Sequence, residues 1–213
     1  MTEAVASNQA GLKAEISDFK RRRIREEACH LFYKHGYEST TLDAIAAALN
    51  VTKPFIYGYY KNKSELLMDI CSTGISLSLA ALDEPELDKR PHSDKLRRVV
   101  ERITKLILRY QEYIVVYVRE EKNLEADQAR FIRKQRNAFD HKLADILLKG
   151  QKTGEFSVDD PLMTANTIGG MLTWVSLWFV PGGNWSETEI SAHLMRMVSA
   201  ITTHHSMEHA YAP

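Results

Sequence analysis

Thr41-Leu42-Asp43-Ala44-Ile45-Ala46-Ala47-Ala48-Leu49-Asn50-Val51-Thr52-Lys53-Pro54-Phe55-Ile56-Tyr57-Gly58-Tyr59-Tyr60-Lys61-Asn62-Lys63-Ser64-Glu65-Leu66 is the stretch that decides how this chain folds. Thr40 or Thr41 is placed to cap a short helix over Leu42 to Leu49, with Leu42, Ile45, Ala46 and Leu49 on its apolar side. Asn50-Val51-Thr52 is a tight connection, and a second short helix starts near Lys53 and runs to Tyr59. Two short helices joined this closely form a helix-turn-helix. Ala46 supplies the small side chain the crossing needs, and Val51 plugs the corner.

The second helix has an unusual composition. Phe55, Tyr57, Tyr59 and Tyr60 put four aromatics in six residues, flanked by Lys53, Lys61 and Lys63. Lysines meet phosphates, tyrosine hydroxyls bond phosphates or base edges, and rings contact thymine methyl groups. Exposed amides at the starts of the helices beginning near Thr41 and Lys63 are further phosphate donors. Lys20-Arg21-Arg22-Arg23 with Arg25 adds a basic cluster ahead of the motif. Phe55, Ile56 and Tyr60 taken singly read as core. Together the group predicts a helix that enters the DNA major groove.

Working outward, the 213 residues read as helices throughout. Apolar side chains recur at three- and four-residue spacing with no sustained alternation. Leu96, Val99, Val100, Ile103, Leu106, Ile107 and Tyr110 form the clearest stripe. Others are Ile24, Ala28, Leu31 and His35; Leu66, Leu67, Ile70, Cys71, Gly74 and Leu77; Phe131, Gln135, Phe139, Leu143 and Leu147; and Ile190, Leu194, Met197 and Ile201. Gly36 and Thr153-Gly154 are helix stops, while Asn62 to Glu65, Ser186 to Glu189 and Asp160-Pro161 are helix starts. The expectation is an all-α chain of about nine helices. Residues 1–17 are a mobile N-terminal extension, 18–62 a helix-turn-helix unit, 63–206 a ligand-binding and dimerisation bundle, and 207–213 a tail. Residues 83–92 read as a long connection.

Composition narrows the function. Lys+Arg and Asp+Glu are equal at 28 each, and the hydrophobic fraction is 44%, as in ordinary globular proteins. Residues 1–65 carry +2 and the remainder −2, so DNA affinity has to come from a local patch. Two cysteines, Cys29 and Cys71, are too few for a disulfide framework or a four-cysteine zinc site. The first residues lack a secretory pattern, which points to the cytoplasm. From Pro161 to Ser186 there is no charged side chain, but the strongly apolar part, Ile168 to Val180, is too short for a bilayer. A helix apolar on every side needs covering on every side, and a second subunit is one way to supply it. No catalytic motif is present, and His204, His205 and His209 cluster only near the end of the chain. Neither a metal nor a cofactor is expected.

The quoted stretch resembles the TetR family of bacterial transcriptional regulators, whose pattern is Thr-x3-Ile-Ala-x2-Ala-Gly-Val-Ser-x-Gly-x-Leu-Tyr-x-Tyr-Phe-x-x-Lys-x-x-Leu. The specific match covers residues 19–70. The resemblance implies a homodimeric repressor that reads a palindromic double-stranded DNA operator. Thr41 and Lys63 match phosphate-contacting positions; Thr52, Lys53, Pro54 and Tyr57 lie on or beside the reading surface; Tyr59 matches another contact. Thr40 and Lys61 join them as candidates. Asn50 stands where the family has a turn glycine, which asparagine can replace because it tolerates the left-handed region. Pro54 also replaces a glycine, and Gly58 weakens a short helix, so the operator cannot be copied from relatives.

Tyr110, Tyr113, Tyr117, Arg119, Phe131, Phe139, Trp174 and Trp178 are the candidates for an effector site in the C-terminal bundle. Arg109, Arg130, Arg133 and Arg136 lie on the same helices. The run from Trp174 to Ile190 is similar to regulators of fatty-acid, sterol-ring or aromatic-acid breakdown. That similarity implies an acyl-coenzyme A or apolar acid as inducer. Two other readings stay open: a regulator or activator with a different ligand or a protein partner, and an all-helical module whose helix-turn-helix is incidental.

Overall fold

The structure is a computed structural model and describes residues 2–83 and 90–203, with side chains from residue 11 onward. Among the described residues there are nine α-helices and no strand: α1 (Thr2–His35), α2 (Leu42–Ala48), α3 (Lys53–Tyr57), α4 (Lys63–Leu82), α5 (His92–Arg109), α6 (Gln111–Glu120), α7 (Ala126–Lys152), α8 (Pro161–Trp178) and α9 (Glu187–Thr203). Most of the expected connection over 83–92, the tail 207–213 and the histidine cluster at 204, 205 and 209 lie outside the described residues.

The helix ends have identifiable causes. Thr41 accepts a hydrogen bond from Ala44 N at 3.1 Å, Asn62 from Glu65 N at 2.7 Å, and Asp160 from Leu162 N and Met163 N at 2.8 and 2.9 Å. At the start of α9, Ser186 Oγ accepts from Glu189 N while the Glu189 carboxylate accepts from Ser186 N, the reciprocal pair of a capping box. Asn50 takes φ 54°, the left-handed turn that its place in the motif requires. The second helix of the motif is shorter than expected. It stops at Gly58, whose amide donates to the Pro54 and Phe55 carbonyls, so Tyr59 lies beyond it.

Two cores form. One gathers Ile24, Phe32, Ile45, Ile56, Tyr60 and Leu66 with Val116 and Ile132 from the bundle; the other gathers α5, α7, α8 and α9 around Val99, Leu143, Leu147 and Ile168. α4 belongs to both: Leu66, Leu67, Ile70 and Cys71 pack in the first core, Ala81 and Leu82 in the second. The division at 62/63 is therefore a division of the chain and not of the packing. α4 is also long and apolar enough by composition to cross a membrane, but it packs against α1, α5, α6 and α7.

Several stripes are displaced from expectation. In α1, Cys29 and Phe32 are buried where Leu31 and His35 were expected, and His35 is exposed. In α7, Ile132 is buried and Phe131 exposed; in α9, Val198 and Thr202 are buried where Met197 and Ile201 were expected. In α7 and α9 the displacement is a single residue, or 100° of rotation, which is too little for periodicity to resolve. Residues 2–17 are the first turns of α1, which begins at Thr2. Ala, Glu and Lys there favour helix, and the side chains from Gly11 to Phe19 are exposed.

Candidate nucleic-acid interface and effector cavity

The reading surface is built by α2 and α3 resting on α1. Ile56 is fully buried and pins α3, which turns Lys53, Pro54 and Tyr57 outward; Tyr57 is half exposed. Thr52 caps α3 without using its hydroxyl on the helix, so that oxygen faces solvent beside Lys53. Lys53 Nζ lies 2.6 Å from Asp43, a bridge between the two helices of the motif. The Asp43 hydrogen bond raises the lysine's pKa, so it stays charged at neutral pH. Thr41 and Lys61 are exposed at either end of the surface. Tyr59 is half-buried with its ring 5.3 Å from that of Phe55, and Lys20 lies over the Phe55 ring.

Two candidates have other duties. Thr40 is buried and its hydroxyl donates to the Gly36 carbonyl at 2.8 Å, tying the end of α1 to the start of α2; it has no access to DNA. Lys63 Nζ donates to the carbonyls of Tyr37, Glu38 and Thr40 at 2.8, 3.3 and 3.0 Å and lies 4.2 Å from the Tyr37 ring centroid. All three ammonium donors are spent holding the 37–40 turn, so Lys63 shapes the surface from behind.

The basic cluster on α1 divides in the same way. Arg22 and Arg23 are exposed alongside Glu26, whereas Arg21 and Arg25 turn inward to Asp69 on α4, each at 3.1 Å. Tyr60 completes the cluster by donating to the same carboxyl at 2.6 Å. Burial works to raise the Asp69 pKa, but the Tyr60 hydrogen bond and the two guanidiniums outweigh it and hold the group below the usual carboxylate range. Asp69 thus fastens α1 and the end of the motif to the helix that continues into the bundle.

The bundle contains a half-open cavity of about 450 Å³ between α4, α5, α6, α7 and α8. Its floor is Ile103, Ile107 and Leu172; Tyr117, Phe139 and Trp174 supply rings; Arg136, Glu121 and Asp140 supply charge. Three of the eight expected ligand residues, Tyr117, Phe139 and Trp174, are brought together there. The others are not. Tyr110 and Tyr113 stack edge to face on each other, Arg119 lies over Tyr33, Phe131 is exposed, and Trp178 packs on Trp185. Of the arginines considered, only Arg136 reaches the cavity, and Nη1 there donates to Tyr117 Oη at 3.2 Å.

Asp140 was not among the expected residues. It sits at helical spacing between Arg136 and Leu143 on the inward face of α7, a charged group within an apolar stripe. Burial raises its pKa, with Arg136 and His141 opposing weakly. Cys29 and Cys71 are buried free thiols; burial pushes Cys71 up to about 12, which keeps it protonated and unreactive.

Comparison with known proteins matches two parts of the chain. Residues 24–70 match the model described as bacterial regulatory proteins of the tetR family, and residues 89–202, more than half of the chain, match the tetracyclin repressor-like C-terminal domain. A probable HTH-type transcriptional regulator, ArpR of Pseudomonas putida, is 32% identical over 151 residues, 65% of this chain and 71% of that one. Among solved structures, a tetR-family bacterial regulatory protein from Rhodococcus RHA1 superposes with TM-score 0.80 at 25% identity, covering 88% of this chain and 98% of that one. AibR, solved in complex with isovaleryl coenzyme A and operator DNA, superposes with TM-score 0.74 at 25% identity over 84% of this chain and 97% of its own. With both parts of the chain matched in order, the protein belongs to the TetR family of DNA-binding transcriptional regulators, and not to a family of enzymes.

Proposed function

We propose that the protein is a homodimeric repressor, acting in the cytoplasm, that binds a palindromic operator and is released from it by a small apolar or aromatic effector. The observation that carries this reading is the placement of α4. One end, through Asp69, fastens the helix-turn-helix, and the other half, from Gly74 to Ser78, lines the cavity. An effector that binds better to one spacing of the two reading helices than to another shifts the population toward it. DNA binding is lost if that spacing no longer matches successive major grooves. Thr41, Thr52, Lys53, Pro54, Tyr57, Tyr59 and Lys61 form the DNA surface in this reading.

The dimer reading rests on exposed apolar side chains along α8 and the segment after it. Met163, Trp174, Val180 and Trp185 are each more than half exposed, and Leu162 and Trp178 nearly so, on and after a helix with no charge. Packing α8 and α9 against their copies in a four-helix interface covers this face. Replacing Met163 by Glu is expected to give a monomer in sedimentation equilibrium.

A second reading of the effector is an acyl-coenzyme A, favoured by the isovaleryl coenzyme A held by AibR. The arginines that were its sequence support do not favour it, since Arg109, Arg119, Arg130 and Arg133 stay out of the cavity. Selection of bound duplexes from random DNA, with and without a thioester pool, tests the whole proposal. A palindrome released by the pool supports the acyl form. One indifferent to the pool rejects that form and keeps the repressor. No enriched palindrome overturns operator binding.

A further inference from the structure

The cavity's charged side chains do not balance. Arg136 is 3.9 Å from Glu121 and bonded to Tyr117, so one cation answers one anion. Asp140 is left over. It is 8% exposed and lines the cavity, and among the described residues no hydrogen bond or ion pair reaches its carboxyl. Across from it α8 offers only small or neutral groups: a methyl placed on Gly169 would stand 3.7 Å from Oδ1, and Asn166, Gly170 and Thr173 complete that wall. A carboxylate this buried that meets no donor from its own chain and opens only onto a cavity is a costly arrangement that folded proteins seldom keep for packing alone.

We propose that the effector is an apolar molecule bearing a protonated amine, whose ammonium pairs with Asp140 while its body lies on Ile103, Ile107 and Leu172. This deepens the effector reading given above and rests on it. An ammonium supplies both the missing charge and the missing donors. Tyr117 and Phe139 add aromatic rings at the cavity wall that can attract a cation, with the more exposed Trp174 at its rim. The volume, about 450 Å³, suits a molecule of drug size. A carboxylate or phosphate entering the same space meets Asp140 and Glu121, with Arg136 already engaged by Glu121 and Tyr117. A neutral alcohol can donate a hydrogen bond to Asp140 but leaves its charge unanswered.

Titration calorimetry on the full chain at neutral pH, with no DNA present, tests this using 4-phenylbutylamine, 4-phenylbutanol and 4-phenylbutanoate. The amine is expected to bind at least about tenfold tighter than the alcohol, with the carboxylate weakest. Asp140→Asn should bring the amine down to the level of the alcohol and leave the alcohol unchanged. The comparison of three ligands on the unmodified protein stands even if that variant folds poorly. Equal binding of amine and alcohol, tightest binding of the carboxylate, no amine binding at millimolar concentration, or a preference that survives in Asp140→Asn overturns the proposal. Repeating the amine titration on operator-bound protein separates the two levels. Amine that binds Asp140 without releasing DNA supports the site and overturns the effector reading. A regulator released only by other ligands keeps the repressor and overturns the amine.

Discussion

Asp69 and Asp140 are both largely buried carboxylates on long helices, and the fold treats them in opposite ways. Asp69 receives two arginines and a tyrosine hydroxyl, and its pKa lies below the ordinary value. Asp140 receives no hydrogen bond or ion pair among the described residues, and its pKa lies above it because burial outweighs the more distant Arg136 and His141. Burial of a charge is therefore no sign of function by itself. The paired carboxylate belongs to a joint that must hold its shape, and the unpaired one belongs to a surface built to meet something else.

The largest effect should come from opening the joint. Asp69→Ala leaves Arg25 partly buried without its carboxylate and Tyr60 with only the longer bond to the Arg21 carbonyl, and hydrogen bonds to charged groups are each worth about 1.5–3 kcal/mol. Arg21 is substantially solvated, so the total should be about 2–3 kcal/mol by urea unfolding. A loss under about 0.5 kcal/mol, the size of an ordinary surface substitution, would break the comparison. The pH dependence has a definite sign. Because folding lowers this carboxyl's pKa, its stabilisation is complete above the unfolded value of about 4 and is lost as the pH falls through the folded one. Asp69→Asn should flatten that acid limb.

A smaller pair of effects separates the reading face from its support. Tyr57→Phe should weaken operator binding by about 1 kcal/mol in a mobility-shift titration and leave stability alone, since Tyr57 is half exposed. Thr40→Val should do the reverse, costing about 1 kcal/mol of stability through the lost bond to Gly36 and little DNA affinity at temperatures where the fold is intact. Equal effects of both on DNA binding would mean that the 37–41 turn itself touches the operator.

Adjacent residues also mark how far the sequence could be read. The motif from Thr41 to Leu66 announced its helices, its asparagine turn and its outward Tyr57, because short-range chemistry sets caps, turns and spacing. Thr40 and Thr41 are both good capping residues, and only the packing of α1 decides which one faces water. Phe131 and Ile132, or Met197 and Val198, pose the same problem on long helices: the period is legible, but its phase depends on neighbours that are distant in sequence. Aromatic size proved a poor guide to the cavity, since Trp178 packs on Trp185 outside it. Asp140 was not among the residues the sequence singled out. Its signal was present in its spacing from Arg136 and Leu143, but what makes it unusual is the lack of any partner, and that requires three dimensions to see.

The smallest effect is the most diagnostic, because its sign is opposite to that of Asp69. Asp140→Asn removes a buried charge that no hydrogen bond or ion pair answers while keeping the shape of the side chain. Stability at neutral pH should stay level or rise by up to about 1 kcal/mol, since an unpaired buried ion costs more than a neutral group of the same size. Folding raises this carboxyl's pKa, so the native protein is most favoured below the unfolded value and loses that advantage as the pH rises through the folded one. Burial sets the direction and Arg136 and His141 oppose it, while Glu121 is a further charged group lining the same cavity. The variant's advantage should accordingly grow from pH 4 to pH 7 in thermal melts, whereas the Asp69→Asn deficit should be nearly constant over that range and shrink only below about pH 4. If Asp140→Asn instead destabilises the protein as Asp69→Asn does, then Asp140 holds a structural contact of its own. The two carboxylates would then differ in degree rather than in kind, and the case for an ammonium in the cavity would lose its footing.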